Sequence, residues 1–75
     1  MPVTDVEINQ MKEYVARQLV QLLMERKSLT MIEAFDVLYN SDTYNKLSDT
    51  STGLYYQSPR YVYAYLDREM TQGML

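Results

Sequence analysis

Thr4 to Lys27, TDVEINQMKEYVARQLVQLLMERK, is the stretch that decides the fold. Thr4-Asp-Val-Glu7 has the spacing of a capping box, in which a hydroxyl and a carboxylate each satisfy an orphan amide of the first helical turn. After it, apolar residues recur at Ile8, Met11, Val15, Leu19, Leu22 and Leu23, and Ala16, Val20 and Met24 widen the stripe. That is a helical period without an internal proline or glycine. It predicts one helix over about 5–27, ending at Arg26-Lys27, where basic side chains complement the helix dipole. At 1.5 Å per residue the helix is roughly 34 Å long. A compact chain of this size has a radius of gyration of about 11 Å. The helix therefore spans the domain and overhangs it, which points to a partner for its apolar end.

Working outward, Ser28-Leu29 interrupts the period and Thr30-Met-Ile-Glu33 forms a second capping box. Ile32, Phe35, Leu38 and Tyr39 follow at helical spacing and predict an apolar face on a helix over 31–39, with Glu33 and Asp36 turned to solvent. So tight a corner suits a helix–turn–helix. Its DNA-reading form needs basic residues on the second helix, and 31–39 has none. Asn40-Ser41-Asp42 is a cap signal, and a short helix over about 42–47 puts Tyr44 and Leu47 on one face. Ser48–Gly53 is a run of turn formers, and Leu54–Gln57 reads as an extended segment laid over the helices, giving an ordered loop at 48–57. Ser58-Pro59 is a strong helix start, since proline at the first helical position loses no hydrogen bond. The last helix runs over about 59–71, with Val62, Leu66, Glu69 and Met70 on one side and Tyr61 and Tyr65 together at i, i+4. The expected fold is all-α, a single domain of 75 residues with three main helices and one short one.

Composition narrows the function classes. The chain has no cysteine and no histidine, so disulfides are excluded and zinc loses its preferred ligands. A domain this small has a net stability of only about 3–5 kcal/mol and usually needs a staple. Self-association, as a homodimer, is the staple left. Net charge is −3, from ten acids and seven scattered bases, which lacks the basic face that phosphate binding requires. No nucleic acid is expected as a partner. No apolar run is long enough to span a membrane, and the first residues lack a signal peptide's basic and apolar regions; a cytoplasmic protein is expected. Without histidine no serine or threonine has its usual base. Asp42, Asp49, Glu25, Glu33 and Asp36 read as caps and solvated groups rather than as an acid–base pair or an oxygen-ligand metal site. Lone Gly53 makes no phosphate loop. No catalytic residue, cofactor or metal is expected.

Tyrosine carries the remaining signal. Residues 41–66 hold six of the eight tyrosines, and tyrosine suits surfaces where apolar packing meets water. Tyr39, Tyr44 and Tyr61 are expected to be half-buried core residues. Tyr55, Tyr56, Tyr63 and Tyr65 are the candidate protein-binding residues. Positions two apart on a helix differ by about 200°, so Tyr61, Tyr63 and Tyr65 cannot share one face, and an exposed tyrosine is a common hot spot. The six methionines sit mostly at helical core spacing.

Ser41, Tyr44, Leu47, Asp49, Thr52, Gly53, Leu54, Tyr55, Gln57, Ser58, Tyr61 and Val62 together make the pattern S-x-x-Y-x-x-L-x-D-x-x-T-G-L-Y-x-Q-S-x-x-Y-V. In this the chain resembles a family of small uncharacterised bacterial proteins, with Met31, Glu33 and Ala34 fitting as well. The likeness covers most of residues 8–70 and assigns no activity. It implies a neighbouring gene for an ADP-ribosyltransferase-like protein, and hence an antitoxin-like or immunity-like neutraliser as the alternative role. The residues themselves give the pattern a folding role: Gly53 permits a positive φ, Ser58 caps the last helix, and the apolar members clamp the loop to the helices.

Overall fold

The computed structural model describes residues 4–72 and is all-helical. Helices α1 (Asp5–Lys27), α2 (Met31–Tyr39), α3 (Asp42–Ser48) and α4 (Pro59–Thr71) are joined by short turns, and two 3₁₀ turns, Thr50–Thr52 and Leu54–Tyr56, lie between α3 and α4. Both capping boxes form. The Thr4 hydroxyl accepts from the Glu7 amide, and the Thr30 hydroxyl from the Glu33 amide, while each glutamate accepts from the threonine backbone in return. Ser41 and Ser58 cap α3 and α4, accepting from Tyr44 and Tyr61. Helix α1 stops at Ser28, which takes a left-handed conformation at φ 56°.

α1 is the spine against which α2, α4 and the second 3₁₀ turn all pack, and α3 bridges α2 and α4. The core takes Val15, Leu19, Val20 and Leu23 from α1, Ala34 and Leu38 from α2, and Leu47 from α3. Leu54 adds to it from the turn, and Val62, Tyr63 and Leu66 from α4. Two rows of α1 are thus used, because α2 and α4 approach it from different sides. The long helix makes the molecule elongated, 40 × 21 × 18 Å, with a radius of gyration of 12.2 Å. No helix among the described residues is long and apolar enough to cross a membrane.

The short helix expected over about 42–47 is α3, which extends to Ser48. The sequence expectation needs correction at three points. Leu54–Gln57 is not extended. Gly53, at φ 71°, reverses the chain after the first 3₁₀ turn, and the second starts at once, closed by Tyr56 N–H to Gly53 O and Gln57 N–H to Leu54 O. Ile32 is 82% exposed. The face that α2 buries is set by Ala34 and Leu38, and Ile32 lies two residues from Ala34, about 200° round the helix. Tyr39 and Tyr61 are also largely exposed, whereas Tyr44 is half-buried as expected.

One buried polar cluster locks the end of the bundle. Glu69 sits on the core side of α4 and is buried. Its carboxylate accepts from Asp42 N–H (2.7 Å), Thr43 N–H (3.0 Å) and the Thr43 hydroxyl (2.8 Å). These are orphan amides of the first turn of α3, where a negative charge is favoured. Beside it, the buried Ser41 hydroxyl donates to Leu38 O and accepts from Tyr44 N–H.

Candidate functional site

The four candidate tyrosines do not form one surface. Tyr55 and Tyr56 stand on the second 3₁₀ turn with their rings edge to face, centroids 5.2 Å apart. Tyr55 is half-buried and Tyr56 exposed. The Tyr56 ring folds back over Gly53: a methyl group there would lie 2.8 Å from the phenolic oxygen. Only glycine gives both the left-handed turn and this close approach.

Tyr63 must be withdrawn from the candidate surface. It shares the inward face of α4 with Val62 and Leu66 and is 6% exposed. The Arg26 guanidinium lies 5.5 Å from its ring centroid. Its hydroxyl is buried without a hydrogen-bond partner among the described residues. Burial pushes the phenol upward, against the opposing pull of the Lys27 and Arg26 charges. Two residues on, Tyr65 faces out beside Tyr61, their oxygens 3.2 Å apart and their rings edge to face at 5.5 Å. That hydrogen bond to Tyr65 raises the Tyr61 phenol. Arg68 stands 6.0 Å from the Tyr65 ring. The alternation of Tyr61, Tyr63 and Tyr65 thus resolves as out, in, out.

Around Tyr55 and Tyr56 the structure builds a groove of about 570 Å³ against α1, with Met11, Tyr14, Val15 and Pro59 completing its walls. Tyr14 is 54% exposed, and its position beside Met11 and Val15 at the edge of the apolar stripe is the signal for it in the sequence. The groove continues along α1 past Tyr14 and Pro59 into a second segment of about 460 Å³ that includes Gln18, Leu22, Glu25 and Arg60. From Gln10 to Glu25 this covers about 22 Å of helix. Its upper part carries no charged side chain; glutamines form the polar rim. Rigid rings on helices and a locked turn, with neutral polar groups at the edge, make a surface suited to apolar packing.

Among the described residues no set of three or more His, Cys, Asp or Glu side chains comes together. The carboxylates mostly act on the backbone. Hydrogen bonds from Thr30 hold Glu33 low, and those from Ser51 hold Asp49 low. Lys27 pairs with Asp67 at 2.7 Å, and that hydrogen bond raises the lysine.

The residues of the 41–62 pattern are mainly structural. Ser41 and Ser58 cap helices, Asp49 caps the first 3₁₀ turn, and the Thr52 hydroxyl ties Lys46 O to Asp49 O. Gly53 makes the reversal, and Leu47, Leu54 and Val62 lie in the core. No protein-family model, characterised protein or solved structure matches the chain.

Proposed function

We propose that the chain is a non-enzymatic protein-interaction module that self-associates through the groove formed by α1 and the Tyr55–Tyr56 turn. The observation that carries this reading is the arrangement of Tyr14, Tyr55 and Tyr56 around Met11, Val15 and Pro59, three aromatic side chains at the rim of an apolar floor. Tyrosines held on rigid elements lose little entropy on binding and are frequent anchors. Tyr65, with Tyr61, forms a separate aromatic patch on α4.

A two-fold interface fits this groove. The smallest specific interfaces bury roughly 600 Å² per partner, about an eighth of the 5104 Å² surface of this molecule. An antiparallel pairing of two α1 helices with its axis at Gln18 sets each Tyr14 against the second copy's Leu22, because the two positions lie equally far from the axis. Gln18 is half-buried at the centre of the groove and the chain has no native cysteine. Gln18→Cys therefore provides a unique probe: at a two-fold axis the two thiols meet, and mild oxidation gives a covalent dimer. Asn45→Cys, on exposed α3, is the control and should cross-link slowly. Sedimentation equilibrium of the native chain should show a dimer that Tyr14→Glu dissociates. A chain that stays monomeric up to roughly 1 mM, or equal cross-linking at positions 18 and 45, refutes the proposal.

A further inference from the structure

The Tyr61–Tyr65 pair on α4 lies outside the groove and has a feature that no other tyrosines of the chain share. Three pairs of tyrosine rings meet edge to face: Tyr39 with Tyr44, Tyr55 with Tyr56, and Tyr61 with Tyr65. Among the described residues only the third pair also joins its phenols, with the two oxygens 3.2 Å apart. Both rings are exposed, and the helix backbone holds them one turn apart on the same face. The Ser58 hydroxyl, which accepts from Tyr61 N–H at 3.2 Å, anchors the first of them. Composition adds an independent observation. The chain has no cysteine, tryptophan or histidine, so a one-electron oxidant that meets this protein takes its electron from tyrosine.

We infer that Tyr61 and Tyr65 form a site of oxidative modification, coupled to each other as dityrosine by a haem peroxidase and hydrogen peroxide. Each phenol gives up one electron and one proton, the proton passing to water. The unpaired spin of a phenoxyl radical lies largely on the carbons ortho to its oxygen. A bond forms between one ortho carbon of each ring, and the hydrogens at those carbons move to the oxygens, which restores both phenols. The pair thus loses two hydrogens, and one peroxide becomes two waters. The starting geometry resembles the product. Dityrosine carries its hydroxyls beside the new bond, within reach of each other, and its rings are twisted out of a common plane. Here the oxygens already share a hydrogen bond, and the rings stand at 80° with centroids 5.5 Å apart. Tyr63, between them in sequence, is buried on the inward face and takes no part. Coupling closes a covalent brace across one turn of α4, in a chain that has no cysteine to make another. It does not depend on the dimer groove.

The test treats the full chain with a haem peroxidase and hydrogen peroxide, digests it with trypsin and maps the peptides by mass spectrometry. Cleavage after Arg60 and Arg68 releases residues 61–68, which hold the pair and no methionine to take up oxygen. This peptide should appear lighter by two hydrogens, with no fragment ions from breaks between positions 61 and 65, and with dityrosine fluorescence. Residues 47–60, which hold Tyr55 and Tyr56, are the internal control. The product in 61–68 should exceed the one in 47–60 about tenfold, because only the first pair is held with its phenols together. Tyr61→Phe and Tyr65→Phe should each abolish the product, and Tyr63→Phe should leave it. Both outward rings are exposed, so their variants keep the fold. An unchanged mass for 61–68, an equal loss in 47–60, a product that survives Tyr61→Phe or Tyr65→Phe, or coupling only between chains overturns the inference.

Discussion

Replacing Glu69 should damage this small protein more than any surface charge, and the damage should depend on pH. The carboxylate accepts three hydrogen bonds, two from amides of α3 and one from the Thr43 hydroxyl. A hydrogen bond to a charged group contributes about 1.5–3 kcal/mol. The three do not sum, because the charge also pays desolvation and because Asp42 is exposed enough for water to take its amide. Thr43 is 3% exposed and has no such recourse. Glu69→Ala should therefore cost about 2–4 kcal/mol, most of the net stability expected for a domain of this size. Glu69→Gln keeps one acceptor oxygen but turns an NH₂ towards a backbone donor, costing about 1–3 kcal/mol. Burial pushes the Glu69 carboxyl up, but the Asp42 amide and the Thr43 donors outweigh it, with Lys46 assisting, and the group titrates below the ordinary glutamate value. For a lowered carboxyl the stabilisation is complete above the unfolded-state value and disappears as pH falls through the folded-state value. The stability gap between the native chain and Glu69→Gln should then be full at pH 7 and narrow as pH falls below about 4. Urea unfolding followed by helical circular dichroism, at both pH values, measures it. A gap that does not change with pH, or a Glu69→Ala cost under about 0.5 kcal/mol, refutes the reasoning.

Other substitutions separate strain from packing. Tyr63→Phe removes a buried hydroxyl that has no partner among the described residues, so it should be neutral or stabilising by up to about 1 kcal/mol, read as an unchanged or higher urea midpoint. Ser28→Gly relieves a left-handed serine at the end of α1 and should stabilise by about 0.5 kcal/mol once the extra freedom of the unfolded chain is counted. Gly53→Ala meets both a positive φ and the Tyr56 ring. The exposed ring can swing away, so the backbone sets a cost of about 1–2 kcal/mol, and the displaced Tyr56 should weaken any association through the groove. Leu66→Ala opens a cavity at a fully buried position and should cost about 2–5 kcal/mol, leaving a largely unfolded chain by calorimetry.

The helices were legible because their signals are local. Two capping boxes, the Ser58-Pro59 start and an unbroken apolar period need no knowledge of the tertiary fold, and the ends of α1, α2 and α4 follow from them. Faces were less legible. Ile32 matches the period of α2 as well as Leu38 does, and only the direction from which α1 approaches decides which of them is covered. The same holds for Tyr63 and Tyr65: alternation requires them to differ, but the side taken by the core depends on where Val62 and Leu66 dock. The 3₁₀ geometry at Leu54 follows from the reversal at Gly53, which restarts the chain in a tight turn. In the sequence Glu69 reads only as a member of an apolar face, because its partners in α3 are remote in the chain. Tyr14 and Pro59 become groove walls only when the Leu54–Tyr56 turn is laid against α1.

The placement of α1 between early and late parts of the chain has a consequence for how the molecule comes to exist. Its inward residues are covered on one side by α2, which follows at once, and on the other by α4, which carries Asp67 and Tyr63 to the far end of the spine. A nascent or clipped polypeptide that stops short of α4 holds a helical hairpin with half of its apolar stripe open to water. Such a chain lacks Val62, Leu66 and the Glu69 lock on α3. Closure of the loop between α1 and α4 must come late and carry the entropic barrier of a non-local contact. Fragments lacking the last helix should therefore be handled by the cell as unfolded chains, cleared by proteases or held by chaperones.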